Sequence, residues 1–448
     1  MKKITLSIFF TLCLMIGFGN SVDLQTARQV ATNFWNVVTG QHDIGKWTNV
    51  TDETSFQELY LFARQDGKGF VIVAADDCVQ PILGYSTDGR LITPLPPSVS
   101  SFLKGYENEI IHCKRNNILS TTEIISQWTQ LLNGEYTPQN TTAVAPLLTT
   151  TWAQRPYYNN LCPDSSGYHT LAGCVAIATA QVMKYWNWPS SGVGSHSYYH
   201  NTYGNLYANF GNATYNWNNM PNSLSSSSST AQVNAVATLV YHVGVAVEMD
   251  YGIDGSGAYT TSYGYSSYPC AENALKDYFR YKNTLHSVYR DDVTNSQWIA
   301  ALNTELNAGR PVIEKGRGDD GGHAFVCDGY DNNGLYHINW GWNGSCNGYF
   351  AHNDLNPSSF TFNDEKAIIV GIEPDGQLIV SPQSLNFSQA GGSQTFTVTS
   401  INGNYSSWTA SSNQSWLTLS PTSGSGGGST TTGTATAPPH HRRSTPHG

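Results

Sequence analysis

A cysteine at the start of an amphipathic helix is the feature that most constrains this chain. Residues 173–186 read GCVAIATAQVMKYW, and their bulkier residues recur on one face at a period of 3.6. Gly173 permits a sharp turn into the helix, so that Cys174 lies in the first turn. The free N–H groups and the helix dipole there lower a thiol pKa and favour the nucleophilic thiolate. The alternative is a structural cysteine, free or disulfide-bonded.

A thiolate nucleophile needs a base, and His323 is the best placed of the 13 histidines. The segment GGHAFVCDGY, residues 321–330, delivers it to the start of an apolar strand. A turn at 331–334 predicts a hairpin that returns Asn339 close to His323. Cysteine, histidine and then an amide is the chain order of papain-like enzymes, in which the last residue orients the imidazole.

Two other motifs carry no function. Residues 316–321 match G-x-G-x-x-G, but they contain two acids and lead into a strand, so a dinucleotide site is excluded. The triplet Arg317-Gly318-Asp319 is too short to indicate a partner. No C-x-x-C or H-E-x-x-H spacing occurs, and we expect neither a metal nor a cofactor.

The chain of 448 residues predicts about three domains, preceded here by an export signal. Lys2 and Lys3 precede an apolar run over 4–18 that is too short to span a bilayer, which predicts a signal peptide at 1–21 and a secreted protein without a membrane span. Seven of the eight cysteines follow the predicted signal peptide. An odd number of cysteines in an exported chain requires at least one unpaired thiol.

Charge divides the rest of the chain into three units. From residue 23 to 142 there are 8 basic and 13 acidic residues, and from 143 to 376 there are 10 and 19. The last unit, 377–448, has no Asp, Glu or Lys and reads as short strands between Gly, Ser and Pro turns, with Trp408 and Trp416 for a small core. An acidic chain without a basic block is not expected to bind nucleic acid.

Helical spacing predicts helices over 23–38, with Asp23 as N-cap, over 100–115 and over 231–247. A hairpin is predicted from strands at 59–62 and 70–75. The polar stretch 133–142 is predicted to be a linker.

The motifs GCVAIATAQVMKYWNWP, GGHAFVCDGY and YHINWGWNG resemble the streptopain family of bacterial secreted cysteine peptidases. The first unit, with GFVIVAADDCVQPILGYSTDG, is similar to the inhibitory prosegment of that family. The resemblance implies an α+β fold: an α+β prosegment at 22–142 and a papain-like catalytic domain at 143–376. The unit at 377–448 resembles a BACON-type, immunoglobulin-like all-β sandwich. After residue 428 its closing strands are expected to be replaced by unrelated sequence.

The resemblance also implies roles by position. Cys174 matches the nucleophile, His323 the base, and Gln154 the glutamine of the oxyanion hole. Asn339 and Trp340 match the residues that orient and shield the histidine, without deciding which one orients it. Substrate contacts are expected at two further positions, Gly322 and Trp342.

The implied protein is an endopeptidase that prefers hydrophobic residues two positions before the cut and acts on host or environmental proteins and peptides. It is made as a zymogen that is inhibited by its own prosegment and cuts itself between Tyr136 and Ala145. Its last module is implied to bind glycans. Two alternatives stay open: a transglutaminase-like Cys-His acyl transferase, and a glycan- or mucin-binding protein with an inert peptidase domain.

Overall fold

The structure is a computed structural model of the full chain. It describes residues 19–41, 46–138, 142–165, 167–318, 321–356 and 365–375, and in the C-terminal part 378–382, 385, 387–388, 391–400, 408–412, 414–424 and 429–435. The hydrophobic part of the predicted signal peptide and the last thirteen residues lie outside the described residues. By contacts the chain forms two compact units, Met1–Phe279 with Thr284–Ile372, and Arg280–Asn283 with Glu373–Gly448.

The first part of the larger unit is built as the hydrophobic spacing predicts. Asp23 caps the first helix by accepting a 2.7 Å hydrogen bond from the Thr26 N–H, and the predicted hairpin pairs Leu59 with Ala74. The second helix begins at Pro97, three residues before the prediction, because proline is well suited to a first helical position. The elements are α1 Leu24–Thr39, β1 Trp47–Asn49, β2 Leu59–Arg64, β3 Phe70–Ala74, β4 Ile82–Ser86, α2 Pro97–Arg115 and α3 Thr122–Asn133.

The second part of this unit begins with two short strands and then the helix that carries Cys174. The predicted helix over 231–247 is present, and Ser229 and Gln232 form a capping box at its start. The elements are β5 Asp164–Ser165, β6 Tyr168–His169, α4 Cys174–Trp186, β7 Ser195–His200, β8 Gly204–Asn209, α5 Thr230–Ala246, α6 Ala271–Asp277, β9 His286–Tyr289, α7 Asn295–Asn307, β10 Val312–Gly318, β11 Gly321–Tyr330, β12 Tyr336–Asn339, β13 Gly348–Phe350 and β14 Ala367–Val370.

One antiparallel sheet of ten strands joins the two parts, in the order β1-β2-β3-β4-β13-β12-β11-β10-β14-β9. Strands β4 and β13, the fourth and fifth in this order, pair with each other through Tyr85 with Tyr349 and Gly84 with Phe350. The pairing covers the edge of β4 in the first part and the edge of β13 in the second part, so neither edge is left unpaired. Within the described residues, no helix combines the length and the apolar character needed to cross a lipid bilayer.

The C-terminal unit contains short antiparallel strands, as predicted. A four-stranded sheet has the order β15-β16-β20-β18, and β17 pairs with β19. The expectation of no closing strand after residue 428 is wrong, because Ser429–Ala435 forms β20 between β16 and β18. The strands are β15 Leu378–Ser381, β16 Gly392–Ser400, β17 Trp408–Thr409, β18 Leu417–Ser420, β19 Ser423–Gly424 and β20.

Candidate active site

Cys174 is the first residue of α4, as the sequence predicts. Gly173 precedes it with φ +87°, a conformation that residues with a side chain rarely adopt. The Cys174 sulfur accepts a hydrogen bond of 3.4 Å from the backbone N–H of Ala324, the residue after His323. Helix α4 packs on β11, so the fold brings the Cys174 and His323 segments together although they are far apart in sequence.

Replacing Gly173 with alanine is expected to misplace the nucleophile. A Cβ at this position would lie 2.5 Å from both the Sδ and the Cε of Met249, in a backbone conformation that is strained for any residue with a side chain. We expect Gly173→Ala to lower peptidase activity by at least about tenfold, since a small shift of a reacting group is costly. Gly255→Ala is the matched control, because a Cβ there meets nothing within 4 Å. Equal activity of the two variants would contradict this.

His323 lies near the start of β11, opposite Gly316 of β10. It shares an open cleft of about 440 Å³ with Cys174 and Gly322, so three of the predicted site residues line one cavity. A cleft of this size is typical of a ligand-binding site. Other side chains of its wall are Val175, Tyr259, Tyr263 and Lys315.

Asn339 lies in a buried polar network. Its Nδ2 donates to the Thr150 carbonyl at 2.7 Å and to Gln181 Oε1 at 3.3 Å, and its Oδ1 accepts from the Gly341 N–H at 3.1 Å. Gln181, fully buried on α4, also accepts the Trp152 N–H at 3.1 Å. Both amide hydrogens of Asn339 therefore have partners other than His323.

Strand register distinguishes Asn339 from Trp340. Asn339 pairs with Val326, and paired residues share a face of the sheet. Side chains alternate along a strand, so His323 and Phe325 project from the opposite face. The Trp340 ring lies 4.7 Å from the Phe325 ring, between centroids, which places the indole on the His323 side. Of the two residues that the sequence left open, the geometry favours Trp340 as the neighbour of the histidine.

Gln154 is buried beside the chain segment that leads to Cys174. Its backbone carbonyl accepts the Ala172 N–H at 3.3 Å, two residues before the cysteine. The preceding residue, Ala153, forms an antiparallel bridge with Trp342. This pairing positions the Gln154 segment against both the cysteine segment and the Trp340–Trp342 loop.

Trp342 is half-buried, and its indole N–H donates to the Ser98 hydroxyl of α2 at 3.1 Å. A small space is lined by Ser98, Phe102 and His323, so the start of α2 lies against the histidine. In this structure Trp342, which is predicted to contact substrate, contacts the predicted prosegment.

The electrostatics of Cys174 differ from the prediction. Burial raises the pKa of its thiol, and the backbone N–H groups of Ala324, Val175 and Cys174 lower it by less. The N–H groups have the predicted effect, but burial outweighs it, so the predicted net lowering of the thiol pKa is wrong. Desolvation favours the uncharged thiol.

Sequence reasoning missed the network residue Gln181 and the Ala324 N–H. A glutamine on an otherwise apolar helix was the available signal for the first, because a buried amide needs partners. No residue pattern identifies a particular backbone N–H as a donor. The Ala324 N–H reaches the Cys174 sulfur only because β11 packs on α4 at this position. Among the described residues, no group of three or more His, Cys, Asp or Glu side chains is arranged to hold a metal ion.

Comparison with known proteins fits this arrangement of cysteine, histidine and prosegment. Residues 152–350 match the profile of the peptidase C10 family, 19–110 match the Spi protease inhibitor, and 377–445 match the viral BACON domain. The chain is 35% identical to streptopain of Streptococcus pyogenes over 349 residues, which cover 73% of this chain and 83% of streptopain. It belongs to the peptidase C10 family.

Two further relatives extend the comparison. The thiol protease/hemagglutinin PrtT of Porphyromonas gingivalis is 30% identical over 401 residues, 82% of this chain and 44% of PrtT. A solved cysteine-to-alanine mutant of a Prevotella intermedia prointerpain A fragment is 33% identical and superimposes with a TM-score of 0.60, covering 73% of this chain and 98% of the fragment. The protein is a cysteine peptidase made as a zymogen with an inhibitory prosegment, and its fold class is the predicted α+β with a small all-β module.

Proposed function

We propose that the protein is a secreted endopeptidase that hydrolyses host or environmental proteins and peptides through Cys174 and His323. The observation that carries the proposal is the contact of the Cys174 sulfur with the residue that follows His323, at the start of a helix and in an open cleft. Export rests on the basic and then apolar start of residues 1–21. These boundaries, and those of the units 22–142, 143–376 and 377–448, are part of the proposal.

The chemistry follows from the residues around the sulfur. His323 takes the Cys174 proton, and the sulfur attacks the scissile carbonyl carbon. The Cys174 N–H and the Gln154 side-chain amide donate to the oxyanion that forms. His323 then protonates the leaving amine, and water hydrolyses the thioester. Trp340 shields and orients the His323 imidazole. Asn339 holds the Trp340–Trp342 loop in place by its hydrogen bonds to Gln181 and to the Gly341 N–H. Gly322 and Trp342 contact the substrate once the prosegment has left.

The zymogen is expected to release itself by a cut between Tyr136 and Ala145. Tyr136 bonds to Asn333, and Val144 forms a bridge with Tyr330, so each flank of this segment is held while its described parts form no helix or strand longer than one bridge. Residues 139–141 of the segment lie outside the described residues.

A direct test compares the wild-type chain with His323→Ala, both produced from residue 22 onward. Under reducing conditions we expect only the wild type to shorten by its prosegment and to cleave casein, and iodoacetamide to label Cys174 and stop both reactions. Incorporation of a fluorescent amine into casein, without new peptide fragments, would instead indicate a transglutaminase. Wild type that neither shortens nor reacts at Cys174 would overturn the proposal.

The C-terminal module is proposed to bind glycans, on the basis of its BACON match over residues 377–445. A chain that ends at residue 376 should keep peptidase activity and lose retention on immobilised mucin. Equal retention of the two chains would exclude this module as the binding site.

Prosegment inhibition is expected to weaken as pH rises, through Glu109 of α2. Its carboxyl Oε1 accepts N–H bonds from Leu355 at 2.7 Å and Asn356 at 3.3 Å. Burial, with Asp354 nearby, raises the pKa of Glu109 from its ordinary 4.5 to about 8, against the smaller effect of these N–H groups. The docked state therefore holds a proton that the released prosegment loses between these pH values. Its stability should fall by up to about tenfold per pH unit between pH 6 and 7.

The measurement is the urea midpoint of the full chain with Cys174→Ala, at pH 5, 6, 7 and 8. Glu109→Gln is the matched control, because it keeps the shape and removes the titration. Other titrating groups nearby affect the urea midpoints of both proteins, so their contribution cancels in the difference between the two midpoints. We expect the midpoint to decline with pH more steeply when Glu109 is present. Parallel pH profiles would show that this carboxyl does not govern release.

A further inference from the structure

The two cysteines of the prosegment meet in its core. Cys78 lies in the turn between β3 and β4, and Cys113 lies near the end of α2. Both residues are buried, 1% and 0% exposed, and the neighbouring side chains Asp76 and Lys114 approach to 3.9 Å between Oδ2 and Nζ. The Cys113 thiol lies within hydrogen-bonding reach of the Cys78 thiol. A disulfide requires sulfur-bearing side chains that face each other at short range, and the fold provides this from two segments that are distant in sequence.

We propose that Cys78 and Cys113 are joined by a disulfide as the exported chain folds, and that this bond fastens α2 within the prosegment. Each thiol loses a proton, the pair loses two electrons, and one S–S bond forms. The oxidant is another disulfide, such as oxidised glutathione or a disulfide-carrying oxidoreductase, whose own S–S bond is reduced to two thiols. The bond requires an oxidising compartment, so this proposal rests on the proposed export.

The timing follows from burial. The hydrogen bond with Cys113, burial and the neighbouring Asp76 all raise the pKa of the Cys78 thiol. A buried thiol with a raised pKa supplies little thiolate, and thiolate is the attacking species in disulfide exchange. Oxidation therefore takes place while α2 is still undocked, and the finished zymogen shields the bond from solution thiols.

Three of the other described cysteines have different surroundings. The Cys162 thiol contacts the Tyr251 hydroxyl, Cys174 accepts the Ala324 N–H, and the Cys346 thiol accepts the Ile92 N–H. A bond between Cys78 and Cys113 thus leaves the nucleophile free and keeps both bonded sulfurs in the part that is removed on activation.

The position of the pair links it to latency. Asn356 donates its side-chain N–H to the Cys78 carbonyl at 2.7 Å, and α2 carries both Glu109 and the Ser98 hydroxyl that bonds to Trp342. Fixing α2 to the β3–β4 turn holds these contacts as one unit. Reduction of the bond would loosen the helix that lies against His323.

The first test is chemical and uses the Cys174→Ala chain from residue 22 onward, refolded in a defined glutathione buffer, so that neither export nor peptidase activity affects the result. We expect the protein to lose two hydrogens by mass and to yield a peptide pair linked through Cys78 and Cys113. Cys78→Ala should yield no such pair. Folded protein that keeps both thiols in excess oxidised glutathione, or links Cys78 to another cysteine, would overturn the proposal.

The second test is the urea midpoint of the same oxidised protein before and after reduction. A disulfide that closes a loop of this length shifts the unfolding equilibrium by about 10²- to 10³-fold. Reduction should lower the midpoint of the chain with Cys78 and Cys113 and leave that of Cys113→Ala unchanged. Since each protein is compared with itself, a packing defect in the variant does not enter. No shift on reduction would refute the role of the bond in holding α2.

Discussion

Cys174→Ala is expected to abolish casein cleavage and self-processing, with a loss of at least about 10⁴-fold in kcat/KM. The substitution removes the only atom that the proposed mechanism joins covalently to the substrate. The neighbouring N–H groups still bind the carbonyl, but no group remains to form the thioester. Activity is measured on casein under reducing conditions, and processing by the length of the purified chain.

The fold should survive this change, which separates chemistry from stability. Cys174 is half-buried and is the first residue of α4, whose other contacts remain in the variant. Alanine is also a good helix former. We expect a urea midpoint close to that of His323→Ala, the second inactive variant. Cys327→Ala is the matched cysteine control, since Cys327 lies on β11 and is fully buried away from the cleft wall. An active Cys174→Ala, or an inactive but folded Cys327→Ala, would contradict the assignment.

The sequence was sufficient for local features whose causes are local. The start of α4 at Cys174, the cap at Asp23 and the hairpin that carries His323 each depend on a few neighbouring residues. Turn glycines, capping side chains and apolar periodicity define such features without tertiary contacts. The order of cysteine and histidine along the chain predicted the pair, and the fold brings them to one cleft.

Features that depend on distant pairing were not predictable in this way. The join of β4 to β13 is one, because neither strand indicates its partner. The partners of Asn339 are another: a one-residue difference in register exchanges Asn339 and Trp340 between the faces of the sheet. The net pKa of Cys174 depends on how deeply the folded chain buries the sulfur, and no segment around the cysteine carries that information.

Phe102→Ala in the prosegment is expected to activate the zymogen prematurely. The Phe102 ring packs against four aromatic rings of the catalytic part, with centroid distances of 5.2 Å to Trp340, 5.6 Å to His352 and 5.9 Å to both Phe325 and Phe350. Truncating a buried phenylalanine costs about 3–5 kcal/mol. Prosegment binding should therefore weaken by about 10²- to 4 × 10³-fold. The half-time of self-processing at fixed pH measures the effect.

Ile125→Ala is the matched control, because this residue of α3 is 56% exposed and belongs to the same prosegment. Its processing should equal that of the wild type. The double variant with Cys174→Ala tests the cause: if Phe102→Ala only loosens docking, the inactive chain stays full length and its prosegment becomes more sensitive to trypsin than the catalytic part. Slower processing of Phe102→Ala would mean that the ring supports the fold of the catalytic part more than it restrains the site. Trp340 contacts both Phe102 of α2 and Phe325, which lies two residues after His323 on β11. When the contact of α2 weakens, we therefore expect the part of the cleft that contains His323 to become accessible first.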